Sequence, residues 1–345
     1  VKVGSVFEIS ILMDGIPNTY EIQRTIPIVY GGIFLPTHPN VDIRIKEIGY
    51  LGYAYKGEEK WIIKDMPAFK MEPYITSDND YRVRMEFEIL SYRFTGANYA
   101  AMGFFASSWN DVTTNFSENQ YFGGMLDKPC FHLNSLVDSI KLLTKNDEEL
   151  ARKAFDAIKK IKWNGQEACY ASQELKKTFQ QKQGNSADIN FNLIQLLKKL
   201  GLKSYPVLFS TRNNGRISKY SPTLNKFNYV IAAVELSNGK FYLDATDEFI
   251  PFGMSTERIL GCIGHAVEEN KGDCSVFIEP LKKQKKSTYS QFNVDSTGNY
   301  TGTISIKRFD YNGVDFKSYL KSKPDHESYI QELESENSGW NINKF

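Results

Sequence analysis

Three polar residues stand at the ends of predicted elements, where nucleophilic catalysis would need them. Ser186 opens a predicted apolar helix, Tyr229 opens a predicted strand, and Asp244 closes the strand after it. A nucleophile at a helix N-terminus gains from backbone N–H groups and from the positive end of the helix dipole. A base on a neighbouring strand takes its proton, and a carboxylate orients that base. The order of these residues therefore predicts a layout of nucleophile, base and carboxylate.

Two of the three positions hold residue types that are poor catalysts. A working site of this layout uses cysteine, histidine and aspartate, and a serine hydroxyl is a weak nucleophile without a nearby base. Tyrosine, with a pKa of about 10, stays protonated at neutral pH. The chain has four histidines, and none lies between residues 133 and 264. By analogy with deletions in known triads, we expect a rate loss of about 10⁴-fold or more.

Three interpretations of Ser186, Tyr229 and Asp244 stay open on the sequence alone. They are the remnant of a triad, or Ser186 is still a nucleophile served by an unforeseen base. His132 and His265 are the histidines nearest to this region in sequence. In the third interpretation the roles are structural: Ser186 caps the helix, and Asp244 accepts the hydroxyl of Tyr229.

Further polar residues lie close in sequence to these three positions. Each is a candidate for lining the same cleft, or for joining loops through hydrogen bonds. They are Asn185, Asp188, Asn190, Arg212 and Asn228.

Hydrophobic periodicity predicts the elements that must position these residues. Three helices are predicted, over 147–162 with Asn146 as its cap, over 172–183, and over 186–200 with Gly201 as its terminator. Three strands follow, over 204–210, 229–236 and 240–244, with Asn238 and Gly239 as the turn between the last two.

The rest of the chain has a β pattern. Apolar and polar residues alternate through much of residues 1 to about 100, with Pro and Gly between the runs, which predicts a β-sandwich. The 23 Phe and 20 Tyr suit strand packing, with a stacking surface for a peptide or sugar as the alternative. Near the C-terminus, strands over 290–295 and 301–306 and a helix over 324–335 are predicted.

Composition does not favour several classes of partner and cofactor. The 345 residues carry 42 basic and 41 acidic side chains, and a net charge of +1 does not favour nucleic acid or an anionic membrane. No apolar stretch approaches the length of about 20 residues that a membrane span needs. The four cysteines lack zinc-site spacing, so no metal or cofactor is predicted. Cys262 and Cys274 could pair, although four free thiols are the default expectation.

Four stretches, taken as an ordered set, resemble the bacterial transglutaminase-like superfamily, which has a papain-like core. They are GNSADIN at 184–190, YPVLFSTR at 205–212, FNYV at 227–230 and LDAT at 243–246. The chain is more narrowly similar to multidomain members with a leading β-rich domain of unknown function and a trailing β domain. GSVFE at 4–8 and MPAF at 66–69 resemble the leading domain, so the resemblance covers nearly the whole chain.

The resemblance implies an α+β fold in three domains. These are an antiparallel β-sandwich over 1–125, a transglutaminase-like domain over 126–264 and a β-rich segment over 265–345. The cysteine of the family falls on Ser186, its histidine on Tyr229 and its aspartate on Asp244. The implied function is an inactive relative that binds a peptide, glycan or protein partner. The alternative is an active peptidase, amidase or transglutaminase with Ser186 as nucleophile. Relatives are often exported, which implies the periplasm or cell surface.

Overall fold

The structure is a computed structural model that describes residues 9–73, 75–96, 99–104, 106, 108–268, 274–280 and 282–345. Its α-helices, α1 to α8, are Trp109–Glu118, Gly123–Leu126, Asn134–Leu143, Asp147–Ile158, Leu175–Gln181, Ser186–Lys199, Asp310–Ser322 and His326–Glu336. Its strands, β1 to β16, are Thr19–Glu21, Ile28–Phe34, Val41–Ile48, Tyr55–Lys56, Lys60–Met66, Arg84–Gly96, Tyr99–Phe104, Lys162–Trp163, Gln183–Gly184, Lys203–Phe209, Tyr229–Leu236, Gly239–Leu243, Ile263–Ala266, Ser275–Phe277, Lys285–Val294 and Tyr300–Phe309. The predicted α+β class is confirmed.

Two antiparallel sheets form the N-terminal part of the chain. One has the order β1-β6-β3, with β7 also paired to β6, and the other has the order β2-β5-β4. Side chains from both sheets share one apolar core, which includes Trp61, Ile63, Met85 and Phe87. The leading stretch at 4–8 lies outside the described residues, and residues 9–11 are not in a strand.

The central part is a five-stranded antiparallel sheet, β12-β11-β10-β13-β14, with α6 against one face. The sequence predicted its main elements closely: strand 229–236 is confirmed, and helix 186–200 is observed as α6. Gly201 ends α6 with a φ of +93°, a conformation that glycine adopts without strain. Asn146 caps α4 as predicted, but α4 ends at Ile158 rather than near residue 162.

The core and the sheet of the central part also include residues on either side of 126–264, the range predicted for the transglutaminase-like domain. Val112 and Phe116 of α1 belong to the same core as α6, and β13 and β14 continue the central sheet to residue 277. These two strands have four and three residues, too few for an alternating pattern to show in the sequence.

The C-terminal part is a long hairpin followed by two helices. Strands β15 and β16 lie where a β hairpin was predicted, and almost all their residues are exposed. Helix α7 was not predicted, because Asn312 and Gly313 in its first turn weaken the helical pattern. Tyr311 and Val314 of α7 are buried against the central core, so tertiary packing stabilises this helix. Of the described residues, none form a helix both long and apolar enough to cross a bilayer.

Candidate functional site

The first turn of α6 is closed by a capping box. The side chain of Asn185 accepts from the N–H of Asp188 at 2.8 Å, and Asp188 accepts from the N–H of Asn185 at 3.0 Å. Asp188 also accepts from the N–H and the hydroxyl of Ser172, at 2.9 and 2.6 Å. Asn185, and not Ser186, is therefore the N-cap, because its side chain reaches the backbone of the third helical residue.

Ser186 is the first residue of α6, and its hydroxyl is fully engaged with one loop residue. It accepts from the N–H of Ala168 at 2.8 Å and donates to the carbonyl oxygen of Ala168 at 2.9 Å. The residue has no exposed surface. Its single proton is held by a backbone carbonyl, which is not a base at neutral pH. This pair of bonds fastens the loop before α5 to the start of α6.

Tyr229 and Asp244, the predicted base and carboxylate positions, lie together in the core. The hydroxyl of Tyr229 donates to Asp244 Oδ2 at 2.9 Å, and neither residue has exposed surface. Burial, and then the charge of Asp244, raises the pKa of Tyr229 well above its ordinary value. The phenol therefore keeps its proton and cannot act as a base.

Arg258 completes this cluster and was missed by the sequence analysis. Its Nη1 donates to the hydroxyl of Tyr229 at 2.6 Å and to Thr246 Oγ1 at 2.7 Å, and lies 3.7 Å from Asp244 Oδ2. The guanidinium carbon lies 4.2 Å from the ring centre of Trp163 and 5.4 Å from that of Tyr229. No motif marks Arg258, since it lies on a short 3₁₀ turn, Glu257–Ile259, within an irregular loop.

The available protons determine the direction of the hydrogen bonds around Asp244. The hydroxyl of Thr246 donates to Asp244 Oδ1 at 2.9 Å, so the protons of both Tyr229 and Thr246 point at the carboxylate. Each hydroxyl then has lone pairs left to accept from Arg258, which has only protons to give. The hydroxyl of Thr256 supplies another donor to Asp244 at 2.7 Å. The partners of this carboxylate among the described residues are all hydrogen-bond donors, so none of them is placed to take a proton from a substrate.

The two histidines considered as substitute bases are bound elsewhere. His265 lies on β13, where its Nε2 is 2.8 Å from Thr113 Oγ1 and its ring stacks on Trp109 at 4.8 Å. His132 Nε2 is 3.0 Å from Asn192 Oδ1, and burial lowers the pKa of His132. The bonds of Ser186 involve neither ring.

Two further candidate cleft residues have structural hydrogen bonds. The side-chain amide of Asn190 donates to the carbonyl of Val230 at 3.0 Å, and its oxygen accepts from the N–H of Ala245 at 2.9 Å. These bonds fasten α6 to the strands that carry Tyr229 and Asp244. Asn228 accepts from the N–H of Thr211 at 2.9 Å and donates to Glu167 at 2.8 Å. Both asparagines join loops and elements.

Arg212 differs from the other candidates because it lines an open cavity of about 380 Å³. Its Nη2 donates to the carbonyl of Thr76 at 3.2 Å, which links the cavity to the N-terminal sheets. The lining residues come from three parts of the chain: Thr76, Arg212, Asn213, Asp247, Ile250, Thr256, Glu257, Arg258, Tyr311, Val314 and Asp315. Through Thr256 and Arg258 the cavity is directly adjacent to the cluster around Asp244.

Metal and thiol chemistry have no obvious site in the part of the chain that the structure describes. No group of three or more His, Cys, Asp or Glu side chains there is arranged to hold a metal ion. Cys262, considered for a disulfide with Cys274, is a free thiol. Burial raises the pKa of Cys262 to about 11, so its thiol is unreactive at neutral pH.

Comparisons with known proteins give only distant likenesses. No protein-family model matches the chain, and no curated protein matches it. One solved structure, a "putative protease" from Parabacteroides distasonis, is 11% identical with a TM-score of 0.48; the match covers 76% of this chain and 47% of that one. Another, a "putative cysteine protease" from Cytophaga hutchinsonii, is 10% identical with a TM-score of 0.26, covering 85% and 88%. Neither likeness is close enough to assign this chain to a family.

Proposed function

We propose that this chain is a non-catalytic transglutaminase-like protein that binds a peptide, glycan or protein partner in the cavity beside Arg258. The observation that carries the proposal is the position of Arg258, which donates to the hydroxyls of Tyr229 and Thr246 at 2.6 and 2.7 Å. A permanently protonated guanidinium therefore bonds the hydroxyls beside Asp244, and neither it nor the protonated phenol of Tyr229 can serve as a base.

The environment of Ser186 supports the non-catalytic role against the alternative of an acyl-transfer enzyme. A catalytic hydroxyl must be reachable by substrate and must have a base within about 3 Å. Ser186 is fully buried and exchanges both of its bonds with the backbone of Ala168. Catalysis would require this loop to open and a base to arrive from elsewhere.

The cavity supports the binding role. Its volume of about 380 Å³ lies near the lower end of the range of about 300–1,000 Å³ typical of ligand sites. Arg212 and Arg258 give it charged groups that could fix the orientation of a ligand.

Labelling of the whole chain with a fluorophosphonate probe, followed by mass spectrometry, tests the absence of catalysis. We expect no burst of labelling at Ser186, and the same background in Ser186→Ala. Rapid labelling of the native chain that Ser186→Ala abolishes would show an active serine and overturn the proposal.

A thermal-shift screen of peptides and glycans tests the binding role. We expect at least one class to raise Tm, because a ligand that binds only the folded state stabilises it. The shift should be smaller in Arg212→Ala than in the native chain and unchanged in Arg216→Ala. An undiminished shift in Arg212→Ala would place binding outside the cavity.

A further inference from the structure

We propose that the cavity beside Arg258 binds a zwitterionic ligand, namely an amino acid or short peptide with a free carboxylate and a free ammonium group. The carboxylate would bind Arg212 and Arg258, and the ammonium group would bind Asp315 and Glu257. This inference rests on the binding role proposed above and names the ligand class of that site.

The basic wall of the cavity consists of Arg212 and Arg258, which have N–H donors left for a ligand. Arg212 uses Nη2 for the carbonyl of Thr76, and Arg258 uses Nη1 for the hydroxyls of Tyr229 and Thr246. Within the described part of the chain, the other guanidinium nitrogens of both residues make no hydrogen bond. A guanidinium presents five N–H donors in a flat fork that matches a carboxylate. Two such forks on one cavity therefore suit a carboxylate ligand.

The acidic wall of the cavity consists of Asp247, Glu257 and Asp315, and its carboxylates have no cationic partner among the described residues. Asp315 and Glu257 both accept from the amide of Gln284, at 3.2 and 3.1 Å, which holds them close together. Burial, and then the charges of Glu257 and Asp247, raises the pKa of Asp315. No lysine or arginine of the described residues forms an ion pair with these three carboxylates. An ammonium group placed between them would relieve the repulsion.

The two walls together select a ligand with both charges. A neutral glycan would leave the carboxylates of the acidic wall without a cation and offer the spare N–H donors of the basic wall no charged acceptor, and a simple anion or cation would satisfy only one wall. Asp315 lies on α7 and Glu257 on the 3₁₀ turn Glu257–Ile259, whereas Arg212 follows β10. A ligand that spans the cavity would therefore also join α7 to the central sheet.

Calorimetric titration of the full chain with matched probes tests the ligand class. The probes are alanine, Ala-Ala and Ala-Ala-Ala, and the N-acetyl and C-terminal amide forms of whichever peptide binds. We expect at least one free probe to bind and each blocked form to bind about tenfold or more weakly, since a lost charge-assisted bond costs about 1.5–3 kcal/mol.

Two cavity variants assign each end of the ligand to its wall. Arg212→Ala should abolish the preference for the free carboxylate over the amide but keep the preference for the free amine. Asp315→Asn should abolish the preference for the free amine over the N-acetyl form but keep the preference for the free carboxylate. Arg216→Ala removes a neighbouring arginine that does not line the cavity, pairs with Asp80 at 3.0 Å and reaches the lining only through Thr76 Oγ1 at 3.2 Å; it should bind nearly like the native chain.

Several outcomes would overturn the zwitterion inference, and they differ from failure of the proposed function. The inference is wrong if no free probe binds, or if the blocked forms bind as tightly as the free ones. A neutral glycan whose binding depends on Arg212 would overturn the ligand class and leave the binding role intact. Burst labelling of Ser186 would overturn the non-catalytic role and leave the ligand class intact.

Discussion

At the start of α6 the polar groups are saturated by partners, whereas in the adjacent cavity they are not. Asn185 and Asp188 bond each other, and Ser186 bonds Ala168 in both directions. In the cavity, Arg212 and Asp315 each make one side-chain hydrogen bond to another described residue. Residues at the predicted catalytic positions thus hold the fold together, whereas the cavity residues have bonding capacity left over, which is the basis of the proposed ligand site. Burial together with satisfied hydrogen bonds is typical of a structural residue, and a charge without a partner at a cavity is typical of a ligand-binding residue.

The largest effect should come from the buried carboxylate that organises the saturated region. Asp244→Asn removes the charge that Arg258 faces and replaces one of the two acceptor oxygens, to which Tyr229, Thr246 and Thr256 donate, with an NH2 donor. We expect a loss of about 3–5 kcal/mol in the free energy of unfolding, measured by urea denaturation. Asp295→Asn is the control, because Asp295 accepts several bonds in an exposed turn, and its loss should stay within about 1 kcal/mol. A small loss at Asp244 would mean that the cluster is solvated.

Removal of the buried carboxylate in the capping box of α6 should have the next largest effect. Asp188→Ala leaves the N–H of Asn185 and both donors of Ser172 without their acceptor. The expected loss is about 2–3 kcal/mol, again from urea denaturation, because buried donors are left unsatisfied. Asp111→Ala removes the equivalent residue of the capping box of α1, at a less buried position, and should cost about 1 kcal/mol. Equal losses at the two positions would mean that burial does not strengthen the capping box of α6.

Ser186→Ala should have a smaller effect, on stability alone. The change removes a hydroxyl that donates to and accepts from Ala168, so we expect a loss of about 1–2 kcal/mol. Ser139→Ala is a matched control, since Ser139 donates to a backbone carbonyl on an exposed helix face, and its loss should be below about 0.5 kcal/mol. If the native chain has a hydrolytic activity that Ser186→Ala abolishes, Ser186 is a catalytic residue and not a structural one.

Asp315→Asn should have the smallest effect on stability, and the opposite sign. A carboxyl group whose pKa is raised by folding destabilises the native state once it ionises. The variant should therefore have a higher Tm than the native chain at pH 7, and the difference should vanish below about pH 3.5, where Asp315 is protonated in both states. Asp156→Asn, at an exposed aspartate paired with Lys159, should show no such gain. A lower Tm for Asp315→Asn at pH 7 would mean that the acidic wall already has a cation partner.

Local pattern predicted the framework of the site but not its bonds. The span of α6, the cap of α4 and the limits of β11 depend on residues a few positions apart, which periodicity and capping describe directly. The partner of Ser186 lies in a loop 18 residues away, and Arg258 reaches Tyr229 from 29 residues away. Such pairings depend on how loops pack, and no local propensity encodes them.

By itself, the sequence determined the class of the fold and the order of its central elements, and it predicted that serine and tyrosine stand where catalysis would need cysteine and histidine. The tertiary structure alone decided what those residues do. It buried Ser186 against Ala168 and set Arg258 against Tyr229 and Asp244. It also placed Arg212 and Asp315 on one cavity, although they lie on separate parts of the chain. The physical reason is that residue type sets which bonds a side chain can make, whereas packing decides which partners come within reach.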